Sequence, residues 1–306
     1  MNNIKDVELI EKLVVKYSEA NDEISNIIVG QKKVVKQILS TIFVGGHALL
    51  IGVPGLGKTL LVNTVAKILG LDFNRIQFTP DLMPSDIIGS EILDKERQFQ
   101  FINGPIFCNI LLADEINRTP PKTQSALLEA MQEYTITVGG KNYKLPFPFF
   151  VLATQNPIEQ EGTYPLPEAQ LDRFMYSIFL DYPSLNEEID IVKKTTMSQL
   201  KDVKQLFSLD EVLKYQNLIL EIPVNDNVIK YAVELVNKTR PNRKNSLEYV
   251  NKYLSFGAGP RASQYLILGA KINAVLAGKY SPDIEDVQQV SNWVLSHRLV
   301  KNYKAE

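Results

Sequence analysis

The feature that most constrains the fold of this chain is the segment Gly52-Val-Pro-Gly-Leu-Gly-Lys-Thr59. It lies between an apolar stretch at residues 48–51, which predicts a strand, and a helical pattern at residues 60–69. Glycines allow a tight curve whose backbone N–H groups point inward, the lysine reaches the β- and γ-phosphates of a nucleotide, and the hydroxyl binds magnesium. The sequence therefore predicts a phosphate-binding loop between a strand and a helix.

The composition is that of a globular chain. Its 306 residues, 45% of them hydrophobic, can build one large core or two modest domains. The 33 basic and 35 acidic residues leave a formal net charge of -2, so no overall basic field indicates nucleic acid or an anionic membrane. We find no pattern typical of a signal peptide or a membrane span, and we expect the single cysteine, Cys108, to be a buried reduced thiol. These features favour a cytoplasmic protein without an integral membrane segment.

Strand and helix patterns alternate along the chain as far as residue 181. The predicted helices are residues 4–20, 34–44, 60–69 and 121–133, and the predicted strands are residues 48–51, 73–78, 110–113 and 149–153. Alternating apolar residues on either side of turn sequences predict two further β-hairpins, at residues 91–102 and 134–147. Short all-apolar strands are typical of a parallel sheet buried on both faces.

Beyond residue 182 the pattern becomes helical, without convincing strands. The predicted helices there are residues 186–199, 210–220, 226–239, 261–277 and 283–299. We therefore expect two domains: an α/β nucleotide-binding domain at residues 1–182, with a parallel sheet and two inserted β-hairpins, and a small all-α lid domain at residues 183–306.

A phosphate-binding loop needs an acidic partner at the end of a neighbouring strand, and Asp114 and Glu115 follow the apolar stretch at residues 110–113. We expect Asp114 to bind magnesium and Glu115 to accept a proton from an attacking water. A solvated acidic pair after a strand is the alternative, and the loop upstream argues against it.

Three more polar residues are candidates for the same site. Asn156 follows the predicted strand at residues 149–153, where it could orient the water, although an Asn before a proline is also a common turn former. Arg173 follows a short helical segment, and its alternative role is an ion pair with a carboxylate. Arg261 opens a lid helix, where a cation faces the positive end of the helix dipole. This unfavourable placement indicates an anionic ligand, and a solvated arginine is the alternative.

These residues sit in segments that resemble the MoxR group of AAA+ ATPases over nearly the whole chain. The segments are Val29-Gly-Gln31, the loop at residues 52–59, Gly104-Pro-Ile-Phe107, Ala113-Asp-Glu-Ile-Asn-Arg118, Gln124-Ser-Ala-Leu-Leu-Glu-Ala-Met131, Ala153-Thr-Gln-Asn-Pro157, Glu161-Gly-Thr-Tyr-Pro-Leu-Pro-Glu-Ala-Gln-Leu-Asp-Arg-Phe174 and Gly257-Ala-Gly-Pro-Arg261. The resemblance implies a ring-forming, hexameric ATPase that uses ATP and Mg²⁺.

The resemblance also implies roles for individual residues. Asn156 corresponds to sensor 1, Arg173 to the arginine finger that reaches a neighbour's nucleotide, and Arg261 to sensor 2, acting on its own subunit's nucleotide or on a neighbour's. The hairpins at residues 91–102 and 134–147 resemble the helix 2 insert and the pre-sensor insert. The residues that it assigns to ATP are Val29, Gly30, Gly52, Pro54, Gly55, Leu56, Gly57, Lys58, Thr59 and Leu60, with Thr59 and Asp114 on the metal.

From this resemblance we expect ATP hydrolysis coupled to chaperone-like remodelling of a protein client, with a von Willebrand factor A domain protein as partner. A DNA-acting AAA+ motor is the first alternative, since related helicases share the paired inserts. The acidic composition and the scarcity of basic residues on the second hairpin, only Lys141 and Lys144, count against it. The second alternative is a nucleotide-gated scaffold that does not hydrolyse ATP. Such a scaffold needs neither a catalytic base nor an arginine finger, so the presence of Glu115 and Arg173 argues against it.

Overall fold

The computed structural model describes residues 4–93, 95–158, 162–197, 202–244 and 246–305. Some predictions fall outside these ranges: Asp94 in the turn of the first hairpin, Glu161 in one of the segments above, and residues 198–199 at the end of a predicted helix. Within the described residues, every helix is too short or too polar to cross a bilayer.

A five-stranded parallel sheet forms the centre of the molecule, in the order β2-β5-β8-β1-β9. Its strands are β1 (Ala48–Ile51), β2 (Phe73–Gln77), β5 (Ile110–Asp114), β8 (Phe150–Gln155) and β9 (Tyr176–Phe179). Ala48 lies opposite both Leu152 and Tyr176, so the strands share one register. All their carboxyl ends therefore meet at one edge of the sheet, the carboxyl edge, and all their amino ends meet at the opposite amino edge.

Hydrophobic residues cover both faces of this sheet, as its all-apolar strands predict. Leu112 and Leu152 point into one cluster, and their neighbours Leu111 and Ala153 point into another, because side chains alternate along a strand. The first face packs against α1 (Ile4–Ile27), α2 (Lys32–Val44), α3 (Lys58–Leu69) and the lid. The second packs against α4 (Pro84–Ile88) and α5 (Pro121–Glu133), and a single 3₁₀ turn, Ile116–Arg118, follows β5.

The two predicted hairpins are confirmed. The first consists of β3 (Gly89–Leu93) and β4 (Phe99–Asn103), and the second of β6 (Thr135–Val138) and β7 (Lys141–Lys144). They pack against each other: the Phe101 ring stacks on the Tyr143 ring with centroids 4.1 Å apart, and the Lys141 amine lies 3.9 Å from the Glu91 carboxylate. Towards its turn, the first hairpin exposes the side chains of Leu93 and Phe99.

The lid is helical, apart from one small sheet that the sequence pattern did not predict. Its helices are α7 (Leu185–Met197), α8 (Leu209–Glu221), α9 (Asp226–Lys238), α10 (Glu248–Tyr253), α11 (Pro260–Leu276) and α12 (Ile284–Leu295). The short helix α6 (Glu168–Leu171) comes earlier in the chain, between β8 and β9. Two short strands, β10 (Leu254–Phe256) and β11 (Val300–Lys301), pair in antiparallel. They are missed by periodicity because two or three residues carry no alternation. Helices α8 and α11 pack directly on α2.

Cys108 is buried and free, as predicted. Its Sγ donates to the carbonyl of Ile110 at 3.3 Å. Burial raises the pKa of the Cys108 thiol to about 12, so the group stays protonated and packs as a small apolar side chain.

His47 lies at the amino edge with both ring nitrogens in use. Its Nδ1 accepts from the Val151 N–H at 2.9 Å, and Nε2 lies 3.1 Å from the Met131 carbonyl, to which it donates in the neutral ring. Burial lowers the pKa of His47 to about 4. The unfolded chain takes up this proton near pH 6.5, so between pH 6.5 and pH 4 the unfolded state binds more protons than the folded one.

We therefore expect His47 to make the protein less stable as pH falls through this window, by up to about 1.4 kcal/mol per pH unit. The measurement is the free energy of unfolding in urea at pH 7 and pH 5, for the wild type and for His47→Gln. The variant keeps a donor and an acceptor but has no titratable group, so its loss between the two pH values is smaller. Equal losses in the two proteins would show that His47 does not contribute.

Candidate active site

The predicted phosphate-binding loop joins β1 to α3 at the carboxyl edge. At Gly52 any Cβ would lie 2.9 Å from the Leu180 carbonyl oxygen, so no side chain fits there. Gly57 has φ +71°, a left-handed conformation that glycine adopts without strain, and it caps the amino end of α3. The loop therefore has the tight curve, ending at a helix amino terminus, that binds phosphates.

Lys58 and Thr59 are the first two residues of α3. The Lys58 amine donates to the carbonyl of Gly52, across the loop. Burial lowers the pKa of Lys58 from its ordinary value, while the carboxylates of Asp114 and Glu115 act in the opposite direction. The lysine thus lies within electrostatic reach of both acidic candidates, and the three side chains belong to one site.

Asp114 is the last residue of β5, and both of its carboxylate oxygens accept hydrogen bonds from flanking strands. The Thr154 hydroxyl on β8 donates to Oδ1 at 2.6 Å. The Arg75 guanidinium on β2 donates to Oδ2 through Nε at 3.0 Å and Nη2 at 2.6 Å. The acidic pair is therefore not freely solvated, since neighbouring strands orient this carboxylate at the carboxyl edge.

Glu115 follows in a left-handed backbone conformation, with φ +58°, which is uncommon for residues other than glycine. Its N–H donates to the Thr154 hydroxyl at 2.8 Å. Its Oε2 accepts from Gln77 Nε2 at 2.8 Å and lies 2.9 Å from Arg118 Nε. The backbone turn directs Glu115 away from the path of β5, and the two side-chain partners hold its carboxylate at the carboxyl edge.

Asn156 directly follows β8, the strand beside β1, and is buried. Its Oδ1 accepts from the Ile158 N–H at 3.1 Å, across Pro157. The turn that an Asn-Pro pair favours is therefore formed, and it places the side chain at the carboxyl edge next to the phosphate-binding loop.

An apolar cavity of about 140 Å³ adjoins the loop. Its lining residues are Ile27, Ile28, Val29, Gln31, Gly55, Leu56, Gly57, Leu60, Pro183, Ile191, Lys194 and Thr195. Five of these are predicted ATP contacts, and Gln31 is tied to the loop by its Nε2, which donates to the Leu56 carbonyl at 3.3 Å. Gly30 instead lines a neighbouring cavity of about 300 Å³ between α1 and α2, and Pro54 is exposed on the loop. The apolar lining suits the base of a nucleotide rather than its phosphates.

Arg173 and Arg261 lie elsewhere, in a second cavity of about 180 Å³ that Gly45 and His47 also line. Arg173 donates to the Leu128 carbonyl. Arg261 Nη1 donates to Asp172 Oδ2 at 3.0 Å and Arg298 Nε donates to Oδ1 at 2.8 Å, so the Asp172 carboxylate pairs with these two arginines rather than with Arg173. This cavity is at the amino edge, one strand length from the phosphate-binding loop, and β1 alone spans four residues or about 13 Å.

Sequence reasoning missed the polar residues that hold the site together. Arg75, Gln77 and Thr154 lie on the strands that flank β5, and the rule that parallel strand ends meet at one edge could have identified them. Arg298, which contacts Asp172, gave no local signal because its partner is 126 positions away in the chain.

Two family models match the chain. The model described as the ATPase family associated with various cellular activities (AAA) matches residues 47–176, which contain the whole parallel sheet except β9's last residues. The AAA lid domain model matches residues 247–306, from α10 to the end of the chain.

Relatives match over most of their length. Chaperone MoxR1 of Mycobacterium tuberculosis is 45% identical over 284 residues, which cover 92% of this chain and 75% of that protein. The uncharacterized protein YeaC of Bacillus subtilis is 42% identical over 290 residues, covering 94% and 88%. Protein MoxR of Methylorubrum extorquens is 26% identical over 294 residues, covering 90% and 85%.

A crystal structure of a candidate ATPase from Cytophaga hutchinsonii has the same fold. It superposes with a TM-score of 0.91 at 45% sequence identity, and the match covers 97% of this chain and 91% of the other. Since Chaperone MoxR1 is 45% identical to this chain over 284 aligned residues and the AAA and lid models both match, the chain belongs to the MoxR family of AAA+ ATPases.

Proposed function

We propose that this chain binds ATP with Mg²⁺ at the carboxyl edge and hydrolyses it. The observation that carries the proposal is the meeting of three elements at that edge: Lys58 from the phosphate-binding loop, Asp114 and Glu115 from β5, and Asn156 from β8. Each is a residue type that phosphoryl transfer to water requires.

The site suits a magnesium nucleotide. Thr59 and Asp114 supply a hydroxyl and a carboxylate, the oxygen ligands that Mg²⁺ takes beside phosphates, and they would hold the ion. When bound, Mg²⁺ neutralises charge on the phosphate oxygens. Gly52, Gly55 and Gly57 carry no side chains, so phosphates can approach the backbone of the loop at these positions.

The chain's own residues divide the remaining work. Lys58 places a positive charge at the β- and γ-phosphates, and Asn156 orients the attacking water through its amide. Glu115 accepts a proton from that water as the water oxygen bonds to the γ-phosphorus. The bond between the γ-phosphorus and the β-phosphate oxygen breaks, and ADP leaves with its electron pair. Gln77 and Arg118 hold the Glu115 carboxylate in readiness for this step.

The two arginines act on another subunit's nucleotide in this proposal. Arg173 and Arg261 line one cavity at the amino edge, and the length of the sheet separates them from their own phosphate-binding loop. If they contact a γ-phosphate, it belongs to a neighbouring copy. This arrangement supports a ring of identical subunits, and we propose a homo-hexamer in which both arginines act in trans, on the neighbour's ATP.

We further propose that hydrolysis drives remodelling of a protein client, with a von Willebrand factor A domain protein as partner. The name of the relative Chaperone MoxR1 supports the chaperone role. The paired hairpins support it too, because their mutual contacts join them into one unit whose exposed apolar side chains suit a protein surface.

Exchanging the exposed apolar residues Leu93 and Phe99 for serine should leave ATP affinity and basal hydrolysis unchanged. Neither lines the cavity beside the phosphate-binding loop, and both are more than half exposed, at 59% and 69%. Phosphate release and ATP titration of the double variant are the measurements. A loss of ATP binding in a variant that melts like the wild type would contradict this separation of hairpin and nucleotide site.

Steady-state phosphate release, with and without duplex DNA, tests the proposed function as a whole. We expect Mg²⁺-dependent turnover that DNA does not stimulate. Strong stimulation by DNA would favour a DNA-acting motor, and ATP binding without turnover would favour a nucleotide-gated scaffold.

A further inference from the structure

Arg298, just beyond α12, is a buried arginine that directs two of its three guanidinium nitrogens, Nε and Nη2, at the segment carrying Arg173. Its side chain is 2% exposed. Nε donates to Asp172 Oδ1 at 2.8 Å, and Nη2 donates to the carbonyls of Asp172 at 2.8 Å and Phe174 at 2.6 Å. Nη1 donates to the carbonyl of Val294, within α12. Arg298 therefore fastens residues 172–174 to the last helix of the lid.

Asp172 divides its two oxygens between two arginines. Oδ1 accepts from the buried Arg298, and Oδ2 accepts from Arg261 Nη1 at 3.0 Å. Tyr265 completes the cluster: its hydroxyl donates to the Arg173 carbonyl at 3.2 Å, and its ring lies 5.2 Å from the Arg298 guanidinium carbon. The Asp172 carboxylate thus links the buried Arg298 to the accessible Arg261, and Arg173 is the next residue in the chain.

The two arginines on Asp172 differ in their freedom to move. Arg298 is held by several carbonyls in a buried site, where an unpaired charge would be costly, so it fixes the orientation of the carboxylate. The Arg261 side chain is 38% exposed and lines the cavity that it shares with Arg173. Without Asp172, Arg261 would have many accessible rotamers, and holding it in one of them would cost entropy.

We propose that Asp172 and Arg298 are positioning residues that hold Arg261, beside Arg173, in the orientation that reaches the nucleotide of a neighbouring subunit. The proposal rests on the trans action of the two arginines proposed above. It gives the end of the lid an indirect part in the neighbour's hydrolysis, because Arg298 ties α12 to the segment that carries Arg173.

The test uses rings mixed from two inactive subunits. Glu115→Gln subunits donate both arginines but lack the base, and Arg173→Ala subunits hold ATP with an intact base but donate no finger. Asp172→Asn is then added to one partner or the other. Its single acceptor oxygen stays with the buried Arg298, and its NH₂ group faces Arg261, which loses its partner.

In the donor subunit, we expect Asp172→Asn to lower the recovered kcat by about 10²-fold, the cost of misplacing a reacting group by about 1 Å, with KM for ATP unchanged. In the ATP-holding subunit, the same substitution should change nothing. Arg298→Lys, which keeps the charge but not the fork of donors, should follow the same rule. In donors that already carry Arg261→Ala, Asp172→Asn should add no further loss.

The outcomes separate the two proposals. If the parent mixture recovers no turnover although mass measurements confirm mixed rings, the trans action itself fails, and this inference fails with it. If the parent mixture is active but Asp172→Asn lowers kcat equally in either partner, as a general folding defect would, or in neither partner, the positioning role alone is overturned.

Discussion

Arg173→Ala is expected to lower kcat for ATP hydrolysis by about 10³- to 10⁵-fold, the range that arginine fingers contribute in phosphoryl transfer. The guanidinium neutralises negative charge that develops on the transferring phosphoryl group, so its loss acts on the transition state more than on ATP binding. Because Arg173 lies at the amino edge, away from its own phosphate-binding loop, ATP affinity should be nearly unchanged. Phosphate release and ATP titration measure the two effects separately.

Arg243→Ala is the matched control, because Arg243 is an exposed lid arginine that does not line this cavity, and its kcat should equal that of the wild type.

Glu115→Gln should bind ATP and accumulate as an ATP-loaded assembly, since it lacks only the base. Mixing Glu115→Gln with Arg173→Ala should restore part of the activity that each lacks, at interfaces where one subunit supplies the base and the other the finger. A wild-type monomer that hydrolyses ATP at a concentration-independent rate would show that Arg173 does not act in trans.

Lys58→Ala is expected to weaken ATP binding by about 10²-fold or more, which is the loss of a hydrogen bond between charged groups in a partly desolvated site. Lys67→Ala is a matched control on the same helix, since Lys67 is half exposed and pairs with Asp202 at 2.7 Å, away from the loop. Isothermal titration of ATP measures both variants. Equal affinities for the wild type and Lys58→Ala would refute the phosphate-binding role of this loop.

The same titration, run with and without Mg²⁺, tests the metal assignment. Asp114→Asn should bind ATP more weakly than the wild type only when Mg²⁺ is present, because the amide loses the charge that attracts the ion. Loss of the charge also removes the ion pair with Arg75, so thermal melting of the variant must accompany the titration. An equal loss of affinity with and without Mg²⁺ would indicate damage to the site rather than a missing metal ligand.

Much of the geometry of the candidate site could be predicted because its parts are local or follow from one topological rule. The loop at residues 52–59 is continuous in sequence, and Gly55 and Gly57 have the positive φ angles that its tight curve requires. Asp114 and Asn156 come from different strands, but each follows an apolar stretch, and parallel strands bring such ends together. The partners that orient them, such as Thr154 and Arg75, needed the strand order, which one sequence does not reveal.

The sequence by itself determined the family, the glycine-rich loop between β1 and α3, the acidic pair after β5 and the two hairpins, because these depend on short-range patterns. Tertiary structure alone decided where the arginines lie and what holds them. Arg261 and Arg298 meet Asp172 across 89 and 126 positions of chain, at the edge of the sheet opposite the loop. Such contacts arise when whole helices pack against a sheet. The free energy of that packing comes from burying apolar surface, which is non-directional and does not select particular polar pairs. These pairs are therefore defined only once the fold has formed.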